Sequence, residues 1–374
     1  MPQSTGEPLQ DSPQQIAQEL PAQSFLPQPY QLPQDKIKGP IVPDSPRVIF
    51  IEATNHCNLH CQTCPRTYFQ REPLKSLTYD EFVAIAGQFP NMQRALLHGI
   101  GEPLLNQELP EMIRYLKQRQ VEVIINSNGT RLTSAWQAAL IDCGLDEFRC
   151  SIDAASEESY ARIRGANLLS KLVAGLEGLV EKKAVAGSPI PRVSIWCVAT
   201  RENLAELPGL IRLAARSGVR EVYVQRLVYF AREAEEQFGM ARDELAIFGK
   251  NQGLEEEALA ACTRLSTELG IAFRASGARD PLNSLAAARP ADFAPWKDCL
   301  RPWTTAYVTA NGNCLPCCIA PFATQQYQSL VLGNLFEQPF EQIWNGPKYQ
   351  AYRTALQSQA PHEACQGCGV NWSL

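Results

Sequence analysis

The sequence has no strongly basic stretch: 34 Lys and Arg residues stand against 39 Asp and Glu, for a formal net charge of −5. Phosphate backbones are held by clustered cationic side chains, so no nucleic-acid partner is expected. Nor is there an apolar run long enough to cross a bilayer, and no membrane partner is expected either. The N-terminus lacks the charged start and apolar segment of a secretory signal. Together these absences point to a cytoplasmic chain. Large apolar residues are also scarce over residues 1–45, which are rich in Gln, Pro and Ser. A stretch of that composition cannot bury enough surface to offset its ordering entropy, so a disordered tail is expected there.

Elsewhere there is ample material for a core, with 45% apolar residues in a chain of 374. That length suits one large domain and a smaller one. The 13 cysteines are many for a reducing compartment, where clustered Cys are more often metal ligands than disulfide partners. They are clustered: Cys57, Cys61 and Cys64; then Cys299, Cys314, Cys317 and Cys318; then Cys365 and Cys368. Cys143, Cys150, Cys197 and Cys262 are scattered and read as buried small hydrophobes.

From 46 to 230 short β-branched or apolar runs alternate with longer amphipathic stretches. The strand candidates are Val48–Glu52, Arg94–His98, Val121–Asn126, Glu147–Ile152, Arg192–Val198 and Glu221–Val224. Helical patterns cover Gln107–Arg119, Ser134–Cys143, Ser156–Ile163, Leu168–Ala186 and Leu204–Ser217, and one more starts at Thr78, which has capping-box spacing to Glu81. Six strand–helix units in succession imply an α/β fold with a parallel sheet, either doubly wound or a six-unit partial barrel. Residues 231–295 read as a helical connector. From 296 to 374 short strands, turns and cysteines replace the rhythm, as in a small domain that uses a metal in place of a large core.

Cys57, Cys61 and Cys64 follow the first strand directly, so one loop can wrap all three thiolates around an iron–sulfur cube. Three local thiolates leave the fourth iron open, and an open site is where a metal does chemistry. A structural zinc site completed by His56 or His60 is the competing reading, although structural zinc usually draws its ligands from two separate knuckles. The Cys-x3-Cys-x2-Cys spacing resembles the signature of the radical S-adenosylmethionine (SAM) superfamily, with Thr63 where an aromatic is usual. The resemblance implies a partial (β/α)6 TIM-like barrel and a SAM-binding [4Fe–4S] cluster. The amino and carboxylate groups of SAM would chelate the open iron. One electron, from a donor such as flavodoxin or ferredoxin, would cleave SAM to methionine and a 5′-deoxyadenosyl radical.

Each later motif falls at the C-terminal end of a strand, the edge at which βα architectures bind ligands. Gly99, Gly101 and Glu102 resemble the superfamily's glycine-rich glutamate–proline motif, which implies contact with the SAM amino group; glycines let a backbone approach a ligand closely. Asn128 lies in a corner similar to the superfamily's Thr-Asn-Gly, and its amide suits a zwitterion. Ser151 and Arg164 resemble the pair that binds the SAM carboxylate and ribose, with Arg162 as the other register and Ala154 where Gly is usual. Gln225 and Arg226, at the end of the sixth strand, would border adenine or substrate.

In the C-terminal region a Cys-x2-Cys pair and two more cysteines across a turn would fill a second [4Fe–4S] cluster; a zinc ribbon is the alternative. The layout of Cys299, Gly312 and Cys317, with the Gly333–Asn334 and Ile343–Asn345 segments, resembles the SPASM and Twitch domains of many radical SAM enzymes. By that match the auxiliary ligands are Cys299, Cys317, Cys365 and Cys368, with Cys314 or Cys318 as substitutes for Cys317. Few residues follow Cys368, so one auxiliary cluster is expected. No catalytic base is assignable. The activity implied is hydrogen abstraction from a small-molecule or peptide substrate, most simply a two-electron oxidation with the auxiliary cluster as electron acceptor. The alternatives are redox-neutral epimerisation or carbon–carbon or carbon–sulfur bond formation, and a non-catalytic zinc or iron–sulfur scaffold.

Overall fold

In the computed structural model, residues 39–227, 245, 247, 252–275, 295–323, 326–366 and 368 are described. Each β-branched run becomes a strand within a residue or two of its expected limits: β1 Val48–Ile51, β2 Arg94–Leu96, β3 Glu122–Ser127, β4 Glu147–Ser151, β5 Arg192–Ala199 and β6 Glu221–Arg226. Between them run α1 Tyr79–Gly87, α2 Leu109–Gln118, α3 Ser134–Asp142, α4 Glu157–Arg164, α5 Leu169–Val185 and α6 Leu207–Arg216. Thr78 and Glu81 form the capping box on α1, each side chain answering the other's backbone N–H. Ser156 caps α4 at its start, and Gly165 ends it in the left-handed conformation that a glycine adopts without strain.

All six strands are parallel, and alternate residues serve different faces. Ile49, Ile51, Ala95, Val123, Ile125, Phe148, Cys150, Ile195 and Cys197 are buried in the apolar core. The opposite face carries charge at the starts of the strands. Glu147 holds Arg149 at 2.8 Å and Arg192 at 2.5 Å, and Arg94 meets Glu122 at 2.5 Å. Glu147 and Arg149 are nearly inaccessible, and buried charges of this kind persist only when paired.

The sheet reaches further than six units at both ends. The segment read as a helical connector contains α7 Gln252–Leu269, but then β7 Ala272–Ala275, a seventh parallel strand beside β6. The stretch from Ala231 to β7 is described only at residues 245, 247 and 252–271. At the other end β8 Thr305–Val308 pairs in parallel with β1, and β9 Asn313–Leu315 and β10 Gly333–Asn334 follow antiparallel. The result is one open ten-stranded sheet in the order β10-β9-β8-β1-β2-β3-β4-β5-β6-β7, so among the described residues hydrogen bonds do not close a barrel. Short helices complete the cysteine-rich part: α8 Arg301–Thr304, α9 Phe340–Trp344, α10 Pro347–Gln357 and α11 Glu363–Gln366.

Residues 39–44, placed by composition in the disordered tail, are instead bound along the cysteine-rich part. Trp303 Nε1 donates to the Gly39 carbonyl (2.8 Å), Arg353 Nη1 to that of Pro40 (2.9 Å), and Trp344 Nε1 to that of Asp44 (3.0 Å). Asn345 pairs with both the N–H and the C=O of Val42. Composition fails here because the strap is held through its own backbone, by side chains some 260 to 310 residues away. Residues 1–38 lie outside the described part. Among the described residues no helix is long and apolar enough to cross a membrane.

Candidate active site and auxiliary metal centre

The loop after β1 carries Cys57, Cys61 and Cys64, all half-buried and none in a disulfide. Neighbouring backbone ties it down: Glu102 N–H donates to the His56 carbonyl (2.7 Å) and Gln62 N–H to that of Ile163 (3.0 Å). Arg66 binds the Asn55 carbonyl through Nε, and Asn58 Nδ2 donates to Thr130 Oγ1 at 2.8 Å. The sulfurs are set among N–H donors. Asn128 Nδ2 lies 3.9 Å from Cys57 Sγ, and Arg164 Nη1 lies 3.8 Å from Cys61 Sγ. The backbone N–H of Leu59 reaches Cys57, and that of Arg66 reaches Cys64. Burial still pushes the free Cys57 thiol up and that of Cys64 to about 12. Thiols so buried ionise when a metal takes the charge, and the donors around them suit the ionised sulfur. Among the described residues no three His, Cys, Asp or Glu side chains converge on the point that a single ion needs. An iron–sulfur cube does not require that convergence, because each thiolate meets its own iron.

Arg164 and Arg162 part company in space. Arg164 is buried, pairs with Asp153 at 2.7 Å, and leaves its Nε without a partner beside the cluster loop. Arg162 is half exposed and turns to Glu202 on the surface (3.3 Å). Ser151, at the end of β4, is half-buried, and its hydroxyl makes no hydrogen bond among the described residues. On the neighbouring strand Asn126 keeps an unpartnered carbonyl oxygen. Open polar atoms near the C-terminal ends of β3 and β4 are what a zwitterionic ligand would satisfy.

Glu102 and the glycines are engaged within the protein. Glu102 is fully buried and spends its carboxylate on the protein, accepting from Leu104 N–H (3.0 Å), Ser127 Oγ (2.7 Å) and Asn128 N–H (2.6 Å). Burial raises its pKa, those three hydrogen bonds and Arg164 oppose the rise, and the net shift is upward. A Cβ on Gly101 would stand 2.0 Å from the Thr54 carbonyl, and one on Gly99 would stand 2.1 Å from Glu52 Oε1. The missing side chains let the β2 loop approach the β1 loop, so the close contact is between two protein segments. At the end of the sixth strand, Arg226 is buried against Glu255 of α7 at 2.6 Å.

Sequence reasoning missed several groups. Asp153, two residues after Ser151, has no role legible in the sequence until the fold brings Arg164 to it. Glu52, directly after β1, is buried, accepting from Ile100 N–H (2.8 Å), Tyr307 Oη (3.2 Å) and Ala310 N–H (3.2 Å), and burial lifts its pKa to about 7. His98, after β2, is held neutral by burial and by Arg149, which lower its pKa to about 3, and its Nδ1 is unpartnered. Neither residue belongs to a motif, so only strand alternation could have flagged them.

The second centre is an apolar cavity lined by Cys299, Cys317, Cys365 and Cys368 together, with Arg301, Trp296, Leu330, Tyr352 and Leu356 around them. These are the four thiols that the SPASM-like layout singles out. Cys314, in β9, is buried and does not line the cavity, whereas Cys318 stands close enough to Cys299 and Cys317 to influence both. Burial raises the pKa of Cys299, Cys317 and Cys365, so this site too suits thiols that a metal ionises.

Comparison with known proteins agrees with both centres. Residues 51–214 match the model of the radical SAM superfamily, and residues 299–369 match the SPASM iron–sulfur cluster-binding domain. The chain is 29% identical over 185 residues to the tungsten-containing aldehyde ferredoxin oxidoreductase cofactor-modifying protein of Pyrococcus furiosus, spanning 49% of this chain and only about half (52%) of that protein. It is 25% identical to the AdoMet-dependent heme synthase of Methanosarcina barkeri, over 87% of this chain and 88% of that one. It is 26% identical to the PqqA peptide cyclase of Rhizobium meliloti, over 86% and 79% respectively. Among solved structures, Streptococcus suis SuiB bound to the precursor peptide SuiA superposes with a TM-score of 0.64 at 15% identity, covering 89% of this chain and 71% of that one. The likeness to SuiB is one of fold.

Proposed function

Because this chain belongs to the radical SAM superfamily and carries a SPASM domain at its C-terminal side, we propose that it is a maturase that oxidises a peptide substrate by two electrons. The observation that carries the reading is the join between the two centres: β1, which leads into the three-cysteine loop, is hydrogen-bonded to β8 of the cysteine-rich part. One sheet thus holds both sets of thiols in fixed relation. Cys57, Cys61 and Cys64 would hold the SAM-binding [4Fe–4S] cluster, and Cys299, Cys317, Cys365 and Cys368 the auxiliary one. When bound, these groups supply a carbon radical that abstracts hydrogen and an acceptor for the electron left behind.

The chain's own residues bind and orient. Arg164, fixed by Asp153, would offer its Nε to SAM, with Ser151 and Asn128 beside it. Glu102 holds the ends of β2 and β3 together, and Glu52 does the same for β1 and β8. Peptide substrates are favoured by the cyclase relative, which matches over most of its length. Ring closure between two C–H carbons removes two hydrogens just as dehydrogenation does, so both outcomes fit an oxidising site. The heme synthase relative supports a second reading, oxidation of a small molecule.

The test is product mass. Anaerobic, reduced protein should be incubated with SAM and precursor peptides, starting with those encoded beside its own gene. A product lighter by two hydrogens is expected. Unchanged mass in ordinary water, together with deuterium gained at carbon in heavy water, would replace the reading by epimerisation.

Arg164 gives a sharper check of the binding site. Arg164→Ala should weaken SAM binding by about 1.5–3 kcal/mol, the range for a hydrogen bond to a charged group. It should leave iron content unchanged. It also strands Asp153, at a cost of about 3–5 kcal/mol of stability, which Asp153→Asn in the same chain should largely restore. Calorimetric SAM affinity and thermal unfolding separate the two effects. Unchanged affinity in the double variant would remove Arg164 from the site.

A further inference from the structure

Among the described residues the buried arginines have visible partners, while Arg301, half-buried with an inaccessible Nη1, does not. Arg149 has Glu147, Arg164 has Asp153 and Arg226 has Glu255. Arg353 is surrounded by carbonyl oxygens, including those of Pro302 and Trp344. Arg301 has no carboxylate partner among the described residues, and its Nη1 is buried without a hydrogen bond. It lines the cavity of Cys299, Cys317, Cys365 and Cys368. A guanidinium cannot shed its charge, and a buried charge without an opposite one is strongly unfavourable. An anionic group filling the cavity would supply the partner that its inaccessible Nη1 lacks.

We propose that Arg301 is the counter-cation of the auxiliary cluster and holds its reduction potential up. The inference rests on the reading that the four thiols carry that cluster. Four thiolates around an iron–sulfur cube leave the assembly net negative, and reduction adds one more negative charge. A fixed cation at the cavity wall favours the reduced form, and net charge and hydrogen bonds to sulfur are known levers on such potentials. The backbone tether is short: Arg301 begins α8 two residues after Cys299, and its own N–H reaches the Cys299 sulfur. The same residue leads through α8 into β8, the strand paired with β1. Arg301 is a positioning residue in this scheme, setting the electron affinity of the acceptor without touching substrate.

The measurement is an anaerobic redox titration, followed by electron paramagnetic resonance, of the full chain carrying Cys57→Ala, Cys61→Ala and Cys64→Ala. Only the auxiliary cluster then reports. Arg301→Gln should shift its one-electron equilibrium at least tenfold toward the oxidised form, a change of about −59 mV in potential. Arg301→Lys, which keeps the charge, should stay close to the parent. An unchanged potential in Arg301→Gln, or an equal shift in both variants, would overturn the proposal. If Arg301→Gln loads no iron, iron kept by Arg301→Lys supports the charge requirement and iron lost from both overturns it. A parent without iron would overturn the cluster assignment, and the proposal with it; iron retained with an unmoved potential would overturn the part of Arg301 alone.

Discussion

Replacing Cys57, Cys61 and Cys64 together by alanine should abolish the conversion of SAM to 5′-deoxyadenosine and methionine. It should also remove about four of about eight irons per chain, since each full cube carries four. The expected loss is total because the loop offers no substitute set of three thiols. His60 is exposed, and Cys150, in β4, is fully buried. The fold should survive, since the loop is held by backbone contacts to Ile163 and Glu102 that do not involve the sulfurs. Iron analysis, circular dichroism and chromatographic assay of 5′-deoxyadenosine on one anaerobic preparation make the comparison. Undiminished 5′-deoxyadenosine from a folded triple variant would refute the assignment of the first centre.

The second large effect is expected from Cys365→Ser with Cys368→Ser. Two of the four thiols lining the cavity disappear, and the auxiliary iron should be lost while the first centre keeps its own. SAM cleavage without substrate should persist, because the loop after β1 is intact. Release of oxidised peptide should fall to background, since the electron left on the substrate would have no acceptor. Metal sites in small domains contribute to folding, so the cysteine-rich part could loosen. Tyr352 Oη lies 2.9 Å from Cys365 Sγ, and Trp303 and Trp344 anchor residues 39–44 nearby, so tryptophan fluorescence reports such loosening directly. If the parallel sheet is folded, SAM binds normally and oxidised product still forms at the normal rate, the auxiliary centre is structural and a redox-neutral outcome gains.

The strands and helices of the first 226 residues were legible because each is a local matter of periodicity and caps. The capping box at Thr78 and the six β-branched runs needed no knowledge of what lay across the sheet. β7 and β8 were not legible as continuations of that sheet. Ala272–Ala275 is short and follows a long helical pattern, and β8 finds its partner in a strand more than 250 residues earlier. The strap at residues 39–44 escaped for a related reason, since Trp303, Trp344, Asn345 and Arg353 hydrogen-bond its backbone from far along the chain.

The sequence by itself determined the chemistry class. Three thiols within eight residues can be gathered by one loop whatever surrounds them, and the Gly312–Cys317 and Cys365–Cys368 spacings are just as local. Only the tertiary structure decided which long-range partners count. It set Arg164 beside Cys61 and sent Arg162 to the surface, put Cys317 in the cavity and Cys314 in the core, and turned Gly99 and Gly101 to packing the β1 loop. Two residues two positions apart on a helix face different ways, and two cysteines three apart across the end of a strand reach different places. Which of each pair meets the site depends on how elements distant in sequence pack against one another, and no local pattern encodes that.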